Sequence, residues 1–213
     1  MRRLALVAGV VWLTLAAPGA AAPRDDALKA LENRDDAEGR RRAVRTLAHD
    51  GTMADVPGLV RALRDPDHVV RALADEALWD IWSRSGNQDI TRLFEGGTHA
   101  LSEGRWDDAV AAFSKIIARD PDFAEGWNKR ATAYYLKGDY TKSLADCDEV
   151  VKRNPLHYGA LSGYGMIYIQ LDQPARALEY FERALAVNPN MDGVRSTVET
   201  LRELLIKQRR NAI

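Results

Sequence analysis

The chain has very little of what disulfide scaffolds and metal sites need. Its 213 residues include a single cysteine, Cys147, which excludes an intramolecular disulfide. The four histidines are scattered without metal-ligand spacing, and the sequence has no glycine-rich phosphate loop. We therefore expect no metal and no cofactor, and a fold that is stabilised by packing alone.

An excess of charge of one sign is also missing. Lys and Arg number 30 against 31 Asp and Glu, so the formal net charge is −1. Proteins that bind nucleic acid usually carry a basic patch or stripe, because phosphates supply much of the attraction. We therefore expect no nucleic-acid partner.

The sequence also lacks a hydrophobic run long enough for a membrane span, which needs about 20 apolar residues. The apolar run from Leu4 to Ala17 follows Arg2 and Arg3 and precedes the small residues Ala20–Ala22. This order is typical of a cleavable signal peptide. We predict a signal peptide over residues 1–22, cleaved within Ala20–Ala22, and an exported, periplasmic protein without stable membrane insertion. Secretion, or anchoring by an uncleaved signal, is the alternative.

Three prolines, Pro121, Pro155 and Pro189, recur 34 residues apart, and each follows an apolar helical stretch. Proline ends a helix because it lacks the N–H and its ring clashes with the preceding turn. A period of this length identifies an array of helical repeats. Polar turns split each unit into two helices. The pattern therefore predicts three helical hairpins, over residues 90–123, 124–157 and 158–191.

The residues at this period match the tetratricopeptide repeat (TPR), and the chain resembles that family from about Ile90 onward. The middle unit carries the pattern's large, small, aromatic, turn and terminating residues, which are Trp127, Ala131, Tyr134, Gly138, Tyr140 and Pro155. The resemblance implies an all-α fold, a right-handed superhelix of paired helices. Small residues such as Gly97 and Gly165 are expected to let paired helices approach closely.

Residues 25–86 are helical in pattern but lack the proline period. The stretch from Val56 to Leu78 resembles one HEAT repeat, with Asp65 in its turn and Arg71 in its second helix. That resemblance implies that Asp65 and Arg71 pair across stacked units. We predict up to two HEAT-like hairpins over residues 25–86. We expect them to stack on the first TPR unit through four apolar residues, Leu78, Trp79, Ile81 and Trp82.

The residues after Pro189 predict one more amphipathic helix, over 192–210. Its apolar side chains fall on one stripe, formed by Val194, Val198, Leu201 and Leu205. We expect this helix to cap the exposed apolar edge of the third unit.

In the TPR family, the first helix of each unit lines a concave groove that receives a peptide. The resemblance assigns nine residues to this groove, Thr91, Phe94, Thr98, Asn128, Thr132, Tyr135, Ser162, Met166 and Ile169. The set is aromatic, hydroxylated and aliphatic rather than charged, which suits a peptide with apolar anchors. Asn128 is best able to bind a main-chain amide. The alternative is that the apolar members only contact one another or the capping helix.

One well-known variant of the family grips a C-terminal carboxylate with basic and Asn side chains. The corresponding positions here are Phe94, Thr98, Lys129, Gly159 and Gly163. Only Lys129 fits, so the sequence does not support binding of chaperone tails.

These observations predict a protein-binding adaptor or scaffold. The chain resembles small exported TPR proteins of Gram-negative bacteria, and that resemblance implies a role in the assembly or regulation of an envelope complex. We expect no enzymatic activity. Cys147 falls on an inward position of its helix, whereas a catalytic thiol must be accessible, and we expect Asp146, Asp148 and Glu149 to form a solvated face. Two rivals stay open. One is a self-assembling solenoid whose groove binds a neighbouring chain as a homo-oligomer, and the other is an enzyme with an unrecognised site.

Overall fold

The computed structural model describes residues 23–211, and the predicted signal peptide over 1–22 lies outside them. Within the described residues the chain forms eleven α-helices, which confirms the all-α fold. In chain order these are α1 (Pro23–Ala30), α2 (Ala37–Asp50), α3 (Val56–Ala62), α4 (His68–Ser83), α5 (Gln88–Ser102), α6 (Trp106–Arg119), α7 (Ala124–Lys137), α8 (Tyr140–Arg153), α9 (Tyr158–Gln170), α10 (Pro174–Val187) and α11 (Asp192–Asn211). A single 3₁₀ turn, Met53–Asp55, precedes α3.

None of the helices between residues 23 and 211 combines the length and apolar composition that a bilayer crossing needs.

The tight turns inside the TPR units require backbone in the left-handed region. Gly104 and Gly138 supply it in the first two units, with φ of 72° and 81°. A glycine adopts this conformation without steric cost. The third unit places Asp172 there with φ 52°, a conformation that aspartate tolerates better than most residues. Pro174 then begins α10, where its missing N–H costs nothing.

Helices α5/α6, α7/α8 and α9/α10 pair within units, and α6/α7 and α8/α9 join successive units. A methyl group built at Gly97 would lie 2.8 Å from the Phe113 ring, and one at Gly165 would lie 2.6 Å from Phe181. Carbon atoms in ordinary contact lie about 3.5–4.0 Å apart. The prediction that these glycines permit close helix packing is therefore confirmed.

Helix α11 packs on α10, the second helix of the third unit. Val198 and Leu201 are buried in the same apolar cluster as Phe181, and Val194 packs against its edge. The C-terminal helix therefore covers the apolar end of the array.

The acidic residues of α8 do not form a uniformly solvated face, so that expectation is wrong for Asp146. Its side chain is buried and accepts two hydrogen bonds of 2.8 Å from Arg130 of α7. Arg130 also donates to the Ser114 hydroxyl of α6 at 3.0 Å, so one ion pair ties three helices together. Cys147 is buried as expected, and burial raises the pKa of its thiol to about 12.

Helices α1–α4 form two N-terminal hairpins, which we call the N-terminal hairpins below. The expected pairing of Asp65 with Arg71 is wrong. Asp65 accepts hydrogen bonds of 2.7 and 2.9 Å from the guanidinium of Arg40, which lies in the preceding hairpin. Arg71 donates instead to the backbone carbonyl of Asp65, because it lies in the same hairpin and reaches back over its turn.

The expected stacking of these hairpins on the first TPR unit is also wrong. Leu78, Ile81 and Trp82 of α4 share one buried cluster with residues of the third unit, which are Tyr158, Leu161, Ala184 and Val187. The third unit supplies large apolar side chains together with polar partners for α4. The N-terminal hairpins and the third unit are thus two sides of one core.

Candidate functional site

A cleft of about 110 Å³ opens on the side of the array formed by α7 and α9, the first helices of the second and third units. Its lining comprises Asn128, Ala131, Thr132, Tyr135, Ser143, Cys147, Gly159, Gly163, Met166 and Ile167. Four of the nine predicted groove residues are therefore brought together here. None of the described residues in this lining is charged.

The polar groups of the cleft are only partly free. The Asn128 side-chain amide donates one of its two N–H groups to Glu125 Oε2 at 3.0 Å. The Thr132 hydroxyl donates to the backbone carbonyl of Asn128. Tyr135 is half-buried, and its hydroxyl accepts a long hydrogen bond of 3.5 Å from the Gln170 amide. Asn128 is buried and Tyr135 is half-buried, so Tyr135 is the more exposed of the two side chains.

Apolar surface is left uncovered beside the cleft. Met166 is 42% exposed and Ile169, three residues further along α9, is 38% exposed. A peptide that covered this surface would gain about 25 cal/mol for each Å² of apolar area removed from water.

The remaining predicted groove residues do not line the cleft. Phe94 packs against Phe113 and Phe123, with ring centroids 5.9 Å away in each case. Thr91 and Thr98 are exposed on α5, and Ser162 is half-buried on α9. The assignment of the nine residues to a binding groove stays a prediction.

A buried ionic group lies beside the cleft, and sequence reasoning missed it. The side chains of Glu125 and His157 are fully buried, and His157 Nε2 lies 2.9 Å from Glu125 Oε2. His157 Nδ1 accepts from the Ala160 N–H at 3.1 Å, which places the ring proton on Nε2, where it is donated to Glu125. Lys129 Nζ lies 3.3 Å from the other carboxylate oxygen, Oε1.

This arrangement keeps Glu125 ionised. Burial opposes the charge, but the hydrogen bond from His157, the Lys129 ammonium and the Asn128 amide together outweigh it, so the pKa of Glu125 lies below its ordinary value. The charge of Lys129 is consequently compensated within the protein.

Two indoles of the N-terminal hairpins cover this group. Trp82 stacks on His157 with ring centroids 4.4 Å apart, and Trp79 meets the same ring edge-on at 5.4 Å. A methyl group built at Gly159 would lie 2.6 Å from Trp79 Cη2, so the indole rests directly on the glycine. Lys129 Nζ lies 5.8 Å from the Trp79 ring centroid. The chain's own indole therefore lies against two of the positions that the family's carboxylate-binding variant uses.

Polar contacts fix the hairpins in this place. Asp75 Oδ1 of α4 accepts from the Tyr158 hydroxyl at 2.6 Å and from the Asn188 amide at 2.7 Å. Burial and the neighbouring Asp75 raise the pKa of Tyr158. Asn190 donates to the carbonyl of Leu63 at 2.7 Å. Contacts between residues so far apart in sequence leave no periodic signal that could have predicted them.

Side chains that bind metals do not converge in the part of the chain that the structure describes. Residues 23–211 contain no group of three or more His, Cys, Asp and Glu side chains arranged to hold a metal ion.

Comparison with known proteins agrees with this geometry. A family model for the tetratricopeptide repeat matches residues 94–155, and a second one matches 158–191. A TPR repeat-containing protein of Rhizobium etli is 34% identical over 146 residues, an alignment that covers 68% of this chain and 71% of the relative. The chain belongs to the tetratricopeptide repeat family. The Hsp70-Hsp90 organizing protein 3 of Arabidopsis thaliana is 24% identical, but the match spans only 26% of its length.

Solved TPR structures share the fold. The first TPR of Spaghetti (RPAP3), bound to an HSP90 peptide, superposes with a TM-score of 0.54 at 24% identity, covering 56% of this chain and 94% of that one. The crystal structure of MamA superposes with a TM-score of 0.51 at 17% identity, covering 79% of this chain and 84% of MamA. At these identities the likeness shows the TPR superhelix and nothing further.

Proposed function

We propose that this TPR protein is an adaptor that captures a peptide segment of a partner protein in the open cleft between α7 and α9. The observation that carries the proposal is the uncharged cleft beside the exposed side chain of Met166. The TPR structure of RPAP3 with an HSP90 peptide supports a peptide as the class of ligand. TPR proteins act in general as adaptors, which also supports a binding role over catalysis.

The size of the cleft supports a peptide over a small molecule. Sites for drug-sized ligands usually enclose about 300–1,000 Å³. A cleft of about 110 Å³ instead suits one side chain, with the rest of the ligand lying along the surface. An extended peptide has this shape.

The adaptor is proposed to act outside the cytoplasm, in the assembly or regulation of an envelope complex. The order of basic, apolar and small residues over 1–22 supports export. Cell fractionation with mass measurement of the purified protein tests this part. A mature chain that begins within Ala20–Ala22 and is recovered from the periplasm is expected, and a full-length cytoplasmic chain would contradict it.

Affinity capture tests the adaptor role. The wild-type protein and a Tyr135→Ala, Met166→Ala double variant are used to capture proteins from an envelope extract, which are then identified by mass spectrometry. Leu136→Ala is the matched control, because Leu136 is 41% exposed on the same helix but does not line the cleft. We expect a partner that wild type and control retain and the double variant loses. Equal capture by all three proteins would contradict the proposal.

A neighbouring copy of this chain is the rival occupant. Sedimentation at several concentrations separates the two cases, since the adaptor proposal expects a monomer with a vacant cleft. A dimer that dissociates on the Tyr135→Ala, Met166→Ala change would assign the cleft to self-assembly instead.

A further inference from the structure

Trp79 shows that the side of the array formed by α7 and α9 holds an apolar side chain of the protein itself. Its indole lies on Gly159 so closely that no larger residue fits beneath it without movement of the ring, since the added Cβ would be 2.6 Å from Cη2. The indole belongs to a different segment of the chain, 80 positions before Gly159. The face of α9 thus already holds one apolar side chain against a helical glycine.

Gly163 offers a second bare position on the same helix. It lies four residues after Gly159, which is about one turn or 6 Å along the axis and on the same face. For a methyl group built at Gly163, the nearest atom among the described residues is Cys147 Sγ at 3.8 Å, an ordinary contact. Both glycines line the cleft, but only Gly159 is covered by Trp79.

The charges around the cleft indicate what its ligand lacks. None of the described lining residues is charged, and the neighbouring Lys129 ammonium is compensated by Glu125 and lies against the Trp79 ring. A carboxylate placed here would lose water without gaining a free cation, which is costly. The complementary ligand is uncharged at this point, so it is an internal segment of a chain rather than a C-terminus.

The volume of the cleft sets the size of the side chain. A closed protein cavity of about 150 Å³ holds one benzene molecule, so a cleft of about 110 Å³ suits a group somewhat smaller than an aromatic ring. The side chains of leucine, isoleucine and methionine have four non-hydrogen atoms each, against six in benzene. An aromatic side chain exceeds this volume.

We propose that Gly163 is the floor of a socket for one aliphatic side chain from an internal, uncharged segment of the partner, and that Trp79 closes the groove beyond it. This inference rests on the proposed function, because it specifies the ligand of the same cleft. Trp79 and Gly163 are then the residues that determine specificity, Trp79 by filling one position and Gly163 by leaving the next one open.

Two libraries of short random peptides displayed on phage test the inference. In one library the peptides are fused through their C-termini, and in the other the terminal carboxylate is free. Peptides selected by the wild-type protein are synthesised as C-terminal acids and amides, and their affinities are measured by fluorescence anisotropy. The same titrations are made with Gly163→Leu, which fills the socket, and with Gly96→Leu.

Gly96 is the matched control because it is also a mid-helix glycine with open space around it, on the side of α5 away from Thr91 and Thr98. Both substitutions gain the same helix propensity. Gly163→Ala is the milder variant. If circular dichroism shows that Gly163→Leu is unfolded, the peptide affinity of Gly163→Ala tests the inference instead.

We expect selected peptides with one aliphatic anchor, and equal binding of the acid and amide forms. Gly163→Leu should weaken binding by about tenfold to a hundredfold, the loss of one buried aliphatic side chain, with a smaller loss for Gly163→Ala and none for Gly96→Leu. If peptides bind but tolerate the filled socket, or if amidation abolishes binding, the inference is wrong while the adaptor function stands. If neither library yields a binding peptide, the proposed function fails and the inference fails with it.

Discussion

Gly159 and Gly163 lie one turn apart on the same side of α9, yet Trp79 covers the first and leaves the second open. The covered half of this face binds the protein's own N-terminal hairpins. The open half has the same helix, the same bare backbone and an uncharged lining. One repeat surface therefore holds the fold together at one end, and in the proposed function its other end binds a partner.

The covered half should be the more sensitive to substitution, and Trp82→Ala should show the largest effect. Trp82 is 4% exposed and stacks on the buried His157 ring. Loss of a buried tryptophan costs about 3–5 kcal/mol of the free energy of unfolding. Urea denaturation measures it, with Trp106→Ala as the control, because Trp106 is 39% exposed. If Trp82→Ala and Trp106→Ala lowered the free energy of unfolding equally, the covered half would not be the more sensitive one.

Tyr158→Phe should have the next largest effect. It removes the hydroxyl that donates to Asp75 at 2.6 Å but keeps the ring in the shared core. A hydrogen bond to a charged acceptor contributes about 1.5–3 kcal/mol to the free energy of unfolding. Because the Asn188 amide still donates to Asp75 in the variant, we expect a loss near the lower end of this range. The comparison is with Tyr135→Phe in the open half, which should unfold at the same urea concentration as wild type. An unchanged midpoint for Tyr158→Phe would mean that this bond does not hold the hairpins.

Gly159→Ala should destabilise the protein more modestly. The added methyl group forces the Trp79 indole to move, and overpacking of this kind costs about 1–3 kcal/mol. The higher helix propensity of alanine offsets up to about 1 kcal/mol of this loss in the free energy of unfolding. Thermal melting followed by circular dichroism should show a net decrease, and an increase would place Trp79 away from Gly159.

Gly163→Ala should have the smallest effect, and of the opposite sign. Its methyl group meets Cys147 Sγ at 3.8 Å without overlap. Only the gain in helix propensity is left, up to about 1 kcal/mol of added stability. A melting temperature below that of wild type would show that the open half is packed as tightly as the covered one.

The TPR part of the fold was predictable because its signals are local and repeated. The 34-residue period of Pro121, Pro155 and Pro189 predicts paired helices, and small residues such as Gly97 and Gly165 indicate where those helices meet. Each of these inferences depends on residues within one unit or its neighbour, so a single sequence was sufficient.

The junction between the N-terminal hairpins and the third unit was not predictable in this way. The apolar residues around Trp82 indicate burial but not the surface that buries them. Asp75 and Tyr158 are 83 residues apart, and no period connects them. The hydrogen bond from Asn128 to Glu125 was not predictable either, because the buried pair of Glu125 and His157 joins two ends of the second unit that are 32 residues apart.

Amide hydrogen exchange of wild type and Trp79→Ala tests most directly whether the N-terminal hairpins and the third unit share one core. Trp79 is half-buried, so its truncation should loosen the junction without unfolding the array. We predict faster exchange in both α4 and α9, with α6 unchanged as the internal reference. Faster exchange in α4 alone, or in neither helix, would contradict a shared core.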